Sequence, residues 1–167
     1  MALDPRRPAA PRGRPRTAAR VAAVQALFQS EQAQTSAETV IDEFVRHRLG
    51  ELPGQGGFEE GRVPDAHVPL FASVVRLAAR QQDRIDRMLA ESLAAEWPLG
   101  RLDPVLRALL RAGAAELAMP DGPPAKVVIN EYLDVAHGFF DGDEPRMANG
   151  VLDRLARQLR PGEFAPA

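Results

Sequence analysis

Two pairs of carboxylates, Glu131 with Asp134 and Asp83 with Asp86, are each spaced three residues apart. On a helix that spacing brings both side chains to one face, as general acid/base catalysis requires. Arg80, Arg84 and Arg87 interleave with the second pair, which points instead to a salt-bridged, solvated face. His47, His67 and His137 lie far apart and form no H-E-x-x-H or H-x-H pattern. His137 precedes Gly138 at the end of an apolar run and is expected to cap helix carbonyls. There is no cysteine, which excludes disulfides, thiolate zinc sites, iron–sulfur clusters and a thiol nucleophile. No phosphate-binding G-x-x-x-x-G-K-[ST], dinucleotide-binding G-x-G-x-x-G or esterase G-x-S-x-G motif occurs. These residues predict a protein that is not an enzyme and that holds no metal and no cofactor.

The positive signal is charge placement. Residues 1–20 carry six arginines (Arg6, Arg7, Arg12, Arg14, Arg16 and Arg20) against Asp4, a net +5, while the remaining 147 residues carry −7. A basic arm on an acidic body suits a polyanion partner on one side. Of 21 basic residues only Lys126 is lysine. Arginine offers planar forks to phosphates and stacks on bases, and an aromatic side chain adds a stacking platform. Arg12, Arg14, Arg16, Arg20, Gln25 and Phe28 together therefore read as a candidate nucleic-acid face. The alternative is a solubilising tail with Phe28 wholly in the core.

The elements that must position these residues are helical. Residues 1–16, dense in Pro, Arg and Gly, cannot bury apolar surface and are expected to form a flexible arm. From Thr17, a plausible N-cap, Val21, Val24, Leu27 and Phe28 fall on one apolar stripe. Thr35 and Glu38 have the capping-box spacing and open a second helix that ends at Gly50. Residues 50–64, with five glycines and two prolines, read as a surface loop. Asp65 to about Ala95 reads as one long helix, broken by Trp97-Pro98-Leu99-Gly100. Asp103-Pro104 is an N-cap with proline at N1, and that helix stops before Pro120. The next helix spans 125–140, and Asp143 opens a last one that stops before Pro161. Asn130 and Asn149-Gly150 interrupt apolar helical runs. Buried asparagines there would need hydrogen-bond partners, and a mid-helix glycine suggests a close helix–helix or helix–ligand approach.

The sequence thus predicts an all-α single domain of six or seven helices over 17–160, arranged as two small helical bundles that share one core, with a short tail at 161–167. With 167 residues, 45% of them hydrophobic, the chain can bury a core. No apolar run approaches the length of a membrane span and no signal-peptide pattern occurs, so a soluble, cytoplasmic protein without membrane contact is expected.

The stretches ARVAAVQALFQSE, RLDPVLRALLRAGAAEL, PPAKVVINEYLDVAHGFF and NGVLDRLAR resemble the NusB family of bacterial transcription antitermination factors over about residues 16–160. The resemblance implies an all-helical fold of two small bundles. It also implies binding of single-stranded boxA-type leader RNA together with a small-subunit ribosomal protein, NusE, within the antitermination complex of RNA polymerase. Carried over by position, Arg12, Arg14, Arg16, Arg20 and Phe28, which stands at a usual tyrosine, would contact RNA. Gln25, Arg146, Met147 and Asn149 would complete that face. Met147-Ala148 replaces the F-V of the family's F-V-N-G, and Leu77 stands near a usual glycine. Glu91, Glu96 and Trp97, at the junction of the helical halves, are assigned to the NusE-type interface. Two other readings stay open: a helical accessory module, for which the chain leaves no room for a fused cofactor-binding domain, and a homodimer whose RNA face is occluded. The free protein is expected to be a monomer or a homodimer.

Overall fold

The computed structural model describes residues 14–49 and 66–164. Among the described residues there are seven α-helices: α1 (Pro15–Ala33), α2 (Ala37–His47), α3 (Val68–Arg80), α4 (Gln82–Ser92), α5 (Pro104–Leu117), α6 (Ala125–Phe139) and α7 (Glu144–Leu159). Short 3-10 turns at Leu99–Arg101 and Pro161–Glu163 follow α4 and α7. No strand occurs among the described residues, in keeping with the all-α expectation.

α5 is the central element. It packs against α1, α3, α4, α6 and α7, and ten of its fourteen residues are buried, as befits a helix that is apolar on nearly every side. α1–α3 gather on one side of it and α4, α6 and α7 on the other, so the two bundles meet through a shared helix and one continuous core. Alanines are frequent among the buried residues of both helices that pack here: Ala19, Ala22, Ala23 and Ala26 of α1, and Ala108, Ala112, Ala114 and Ala115 of α5. Small side chains at a crossing shorten the distance between helix axes. Phe44 of α2 stacks on Phe71 of α3 with ring centroids 5.5 Å apart.

Several boundaries differ from expectation. α1 begins at Pro15, ahead of Thr17, because proline already has the φ of a first helical residue. The Thr17 hydroxyl donates to Glu131 instead of capping. Ser36 and not Thr35 caps α2, accepting from the Thr39 N–H at 3.2 Å, and Glu38 turns away to Arg76 of α3. The long helix over 65–95 is two helices. Gln81, at φ −110° and ψ 24°, leaves helical geometry, and the chain changes partners there: α3 lies on α1, whereas α4 lies on α7. Asp103 caps α5 as expected, accepting from Val105 N–H at 2.8 Å.

The segment after Pro161 is not a free tail through Phe164. The Glu163 carboxylate accepts the N–H of Ala125 at the start of α6, and the Arg157 guanidinium lies 4.7 Å from the Phe164 ring centroid. Arg160 donates to the carbonyls of Glu116, Leu117, Met119 and Pro123. Two of these, Glu116 and Leu117, are the last residues of α5, whose carbonyls lack a donor within the helix.

Both asparagines are exposed, so the burial that would have required hydrogen-bond partners for them does not occur. α6 turns Val128, Ile129, Tyr132, Val135 and Ala136 inward, and α7 turns Ala148, Val151, Leu152 and Leu155 inward. Asn130 and Asn149 fall on the opposite faces. Nor is Gly150 a point of close approach, since a Cβ there would meet only the tip of Arg154, at 3.8 Å. The tight contact is at Gly113 of α5, where a Cβ would sit 2.9 Å from a Leu152 methyl and 3.5 Å from the Tyr132 ring.

A second tie joins α1, α4 and α5. Glu31 accepts from both Arg107 and Arg111, and Arg111 forks onto Asp86 with bonds of 2.8 and 2.9 Å. The hydrogen bond from Arg107, with Arg111 adding to it against the cost of burial, holds the Glu31 carboxyl below its ordinary range. A carboxyl lowered in the folded state stabilises the fold above its unfolded pKa and loses that stabilisation as pH falls through the folded value. Glu31→Gln should therefore be less stable than the parent near neutrality; the difference should begin to close below about pH 4, the unfolded range of a glutamate, and vanish once pH falls below the lowered folded value. Urea unfolding midpoints measured across pH check this; a constant difference at every pH would count against it.

Candidate nucleic-acid interface

The first turn of α1 carries the exposed part of the basic cluster. Arg14, the N-cap residue, and Arg16 are exposed, and neither forms an ion pair with another described residue. Arg12 lies outside the described residues. Further along α1, Gln25 is exposed, and Phe28 is half-buried, with part of its ring packed on the core and part open. That geometry admits both a packing role and a stacking role.

Arg20 is corrected: it is 3% exposed and belongs to the interior. Its Nε and Nη2 donate to the two oxygens of Glu116 on α5 at 2.9 and 2.7 Å. The Tyr132 hydroxyl of α6 donates to the same carboxylate at 3.0 Å. Its Nη1 lies 3.2 Å from Glu131, which also accepts from Thr17. Burial opposes the charge on Arg20, yet the bond and the charge of Glu116 outweigh it and the guanidinium is held more firmly protonated than usual. Burial first, and then the nearby Glu116 charge, push the Tyr132 hydroxyl well above its ordinary value, so it stays a neutral donor. A guanidinium so engaged has no free fork for a phosphate. What Arg20 does is lock α1 against α5 and α6, which sets where Arg14 and Arg16, one to two turns earlier, emerge.

Glu116 and Tyr132 were not among the candidate residues, although one signal was present. Position 20 shares the helical stripe of Ala23, Val24 and Leu27, and an arginine on a buried stripe demands a buried acid. Glu116 sits within the apolar run AGAAEL.

The last part of the candidate face is the start of α7. Arg146 and Asn149 are exposed, and Met147 is half-buried against the core. α5 and α6 each pack on both α1 and α7, so they hold the two segments in a fixed relation, and α1 itself makes no extensive contact with α7. Asp141, Asp143 and Glu144 precede Arg146, which makes this end of the surface unfavourable for phosphates and open to bases. Phe139, at the end of α6, is 39% exposed, and its ring is 6.3 Å from that of Phe140.

At the α4–α5 connection, Glu91 and Glu96 are exposed, and Trp97 is half-buried on the core. They lie on one short segment, as an interface would require. Among the described residues no group of three or more His, Cys, Asp or Glu could hold a metal ion, and no helix is long and apolar enough to cross a membrane. The paired carboxylates do not form a catalytic dyad: Asp86 is engaged by Arg111, and Glu131 by Thr17 and Arg20.

The NusB family model matches residues 17–157. The chain is 73% identical over 154 residues to a transcription antitermination protein NusB of Granulibacter bethesdensis, covering 92% of this chain and 94% of that one. It is 54% identical to the corresponding protein of Gluconobacter oxydans, over 91% and 92% of the two chains. Among solved structures, the NusB of T. maritima superposes with a TM-score of 0.70 at 25% identity, over 89% of this chain and 96% of that one. A NusB solved with NusE and double-stranded RNA has the same fold, with a TM-score of 0.67 at 21% identity over 87% and 98%.

Proposed function

The chain belongs to the NusB family, and from that premise we propose that it is a non-enzymatic antitermination factor. In this reading it binds boxA-type RNA jointly with NusE and so helps RNA polymerase read through terminators. The observation that carries the proposal is the pair of exposed arginines at the start of α1, Arg14 and Arg16, without counter-ions among the described residues, on a body that is otherwise acidic. With Arg12 they supply phosphate contacts, which position the RNA without reading its sequence. Gln25, Phe28, Met147 and Asn149 supply contacts to bases, and the acidic approach to α7 favours bases there. Glu91, Glu96 and Trp97 offer an acidic and aromatic surface to a basic ribosomal protein.

The test is a fluorescence titration of boxA-like and scrambled single-stranded RNA, with and without the NusE counterpart, at two salt concentrations. Tighter binding of the boxA-like RNA, enhanced by NusE, is the expected result. Equal binding of both RNAs in the presence of NusE would overturn the reading.

Met147 sharpens it. A thioether side chain offers a base less area than a ring does. Met147→Phe should tighten boxA-like binding by up to about 1 kcal/mol, the low end for base stacking on an aromatic ring, and leave the salt dependence of affinity unchanged. A looser complex, or an altered salt slope, would show that position 147 does not meet a base.

A further inference from the structure

A groove of about 860 Å³ runs between the start of α1, the outer face of α3 and the turn joining α5 to α6. Of its lining residues, the RNA-binding reading above uses only Arg16. Its floor is apolar, with Leu70 and Leu77 of α3 facing Met119 and Pro123 of the turn. Its rim is cationic: Arg16 comes from α1, and Arg76 and Arg80 come from α3. Arg80 is exposed and forms no ion pair with a described residue, while Arg76 is held by Glu38 through bonds of 2.7 and 3.1 Å. Asp121 is the one acid among the lining residues.

We infer that this groove holds single-stranded RNA flanking the boxA-type element, so that the RNA track continues from the α1 arginines over α3. The inference rests on the RNA-binding reading above and extends it from Arg16 to the rest of the groove. Two features select the occupant. Arg16 belongs at once to the basic cluster at the start of α1 and to the groove rim, so a strand engaged by the cluster is already at the groove's mouth. An apolar floor between cations matches a single strand, which presents unpaired base faces on one side and phosphates on the other. A basic protein partner is disfavoured by like charge.

The test uses the full chain and two RNAs, the boxA-like element alone and the same element extended at both ends with uridines, each titrated against salt. The variant is Ser73→Glu with Arg80→Gln, both exposed on α3 and outside the face assigned to the element itself. The parent should bind the extended RNA several-fold tighter than the bare element, with a salt slope steeper by about 1, the scale of one or two added phosphate contacts on a single strand. The variant should lose that gain and bind the bare element as the parent does, which also shows that it is folded. No gain from extension in the parent would overturn the inference, as would a gain that survives in the variant. A glutamate-rich peptide that binds the parent but not the variant, with no effect of RNA extension, would assign the groove to an acidic protein segment and also overturn it. Failure of the bare element to bind would instead strike the RNA-binding reading itself, so the two failures are distinguishable.

Discussion

Glu116→Ala should cost about 3–5 kcal/mol of folding stability, the penalty for leaving one member of a buried ion pair uncompensated. The pair is fully enclosed, with Arg20 at 3% and Glu116 at 0% exposure. In the variant the guanidinium keeps its charge, loses both bonds to the carboxylate, and retains only Glu131 at 3.2 Å. Tyr132→Phe removes a single bond to the same carboxylate and should cost about 1.5–3 kcal/mol, the range for a hydrogen bond to a charged group. Removing both charges is a different matter, since an apolar pair of similar volume needs no desolvated ions. Arg20→Leu with Glu116→Leu should therefore be more stable than Glu116→Ala. Equilibrium urea unfolding of the three variants decides it. A loss under about 1 kcal/mol for Glu116→Ala, the scale of an exposed pair, would mean that water reaches Arg20.

Replacing Arg12, Arg14 and Arg16 together by glutamine should lower the salt slope of RNA binding by about 2, from three phosphate contacts at about 0.7 each on a single strand. The loss should fall almost equally on boxA-like and scrambled RNA, because phosphate contacts carry no sequence information. Arg14 and Arg16 are exposed, so thermal stability should hardly change. Arg20→Gln is the internal control: it should destabilise the fold while leaving the salt slope of the folded protein unchanged, since its guanidinium is already taken by Glu116. Affinity measured against salt for the triple variant and for Arg20→Gln separates the two roles. A triple variant with the parental slope would reduce the basic cluster to a solubilising segment. A reduced slope in folded Arg20→Gln would return Arg20 to the RNA face.

Much of this molecule is written locally in the chain. Helix identity follows from residues a few positions apart: the stripe of Val40, Ile41 and Phe44, the Asp103 cap with Pro104 behind it, the stops before Pro120 and Pro161. Those interactions close within a turn or two, so no distant partner is needed to read them. The concentration of arginines at one end was equally legible, because charge counts need no fold. The tertiary structure alone decided which polar residues go inside. Arg20 is buried because Glu116 arrives from 96 residues away to neutralise it, and a charge enters a core only where such a partner meets it. Asn130 and Asn149 stay in water because α6 and α7 present other residues to α5, and a helix with apolar residues on several sides does not announce which side will be covered. The break at Gln81 carries no glycine or proline to announce it; it arises because α3 and α4 must lie on different neighbours. The groove beneath Arg80 is assembled from α1, α3 and the α5–α6 turn, segments that only the packing of the bundle brings to one place.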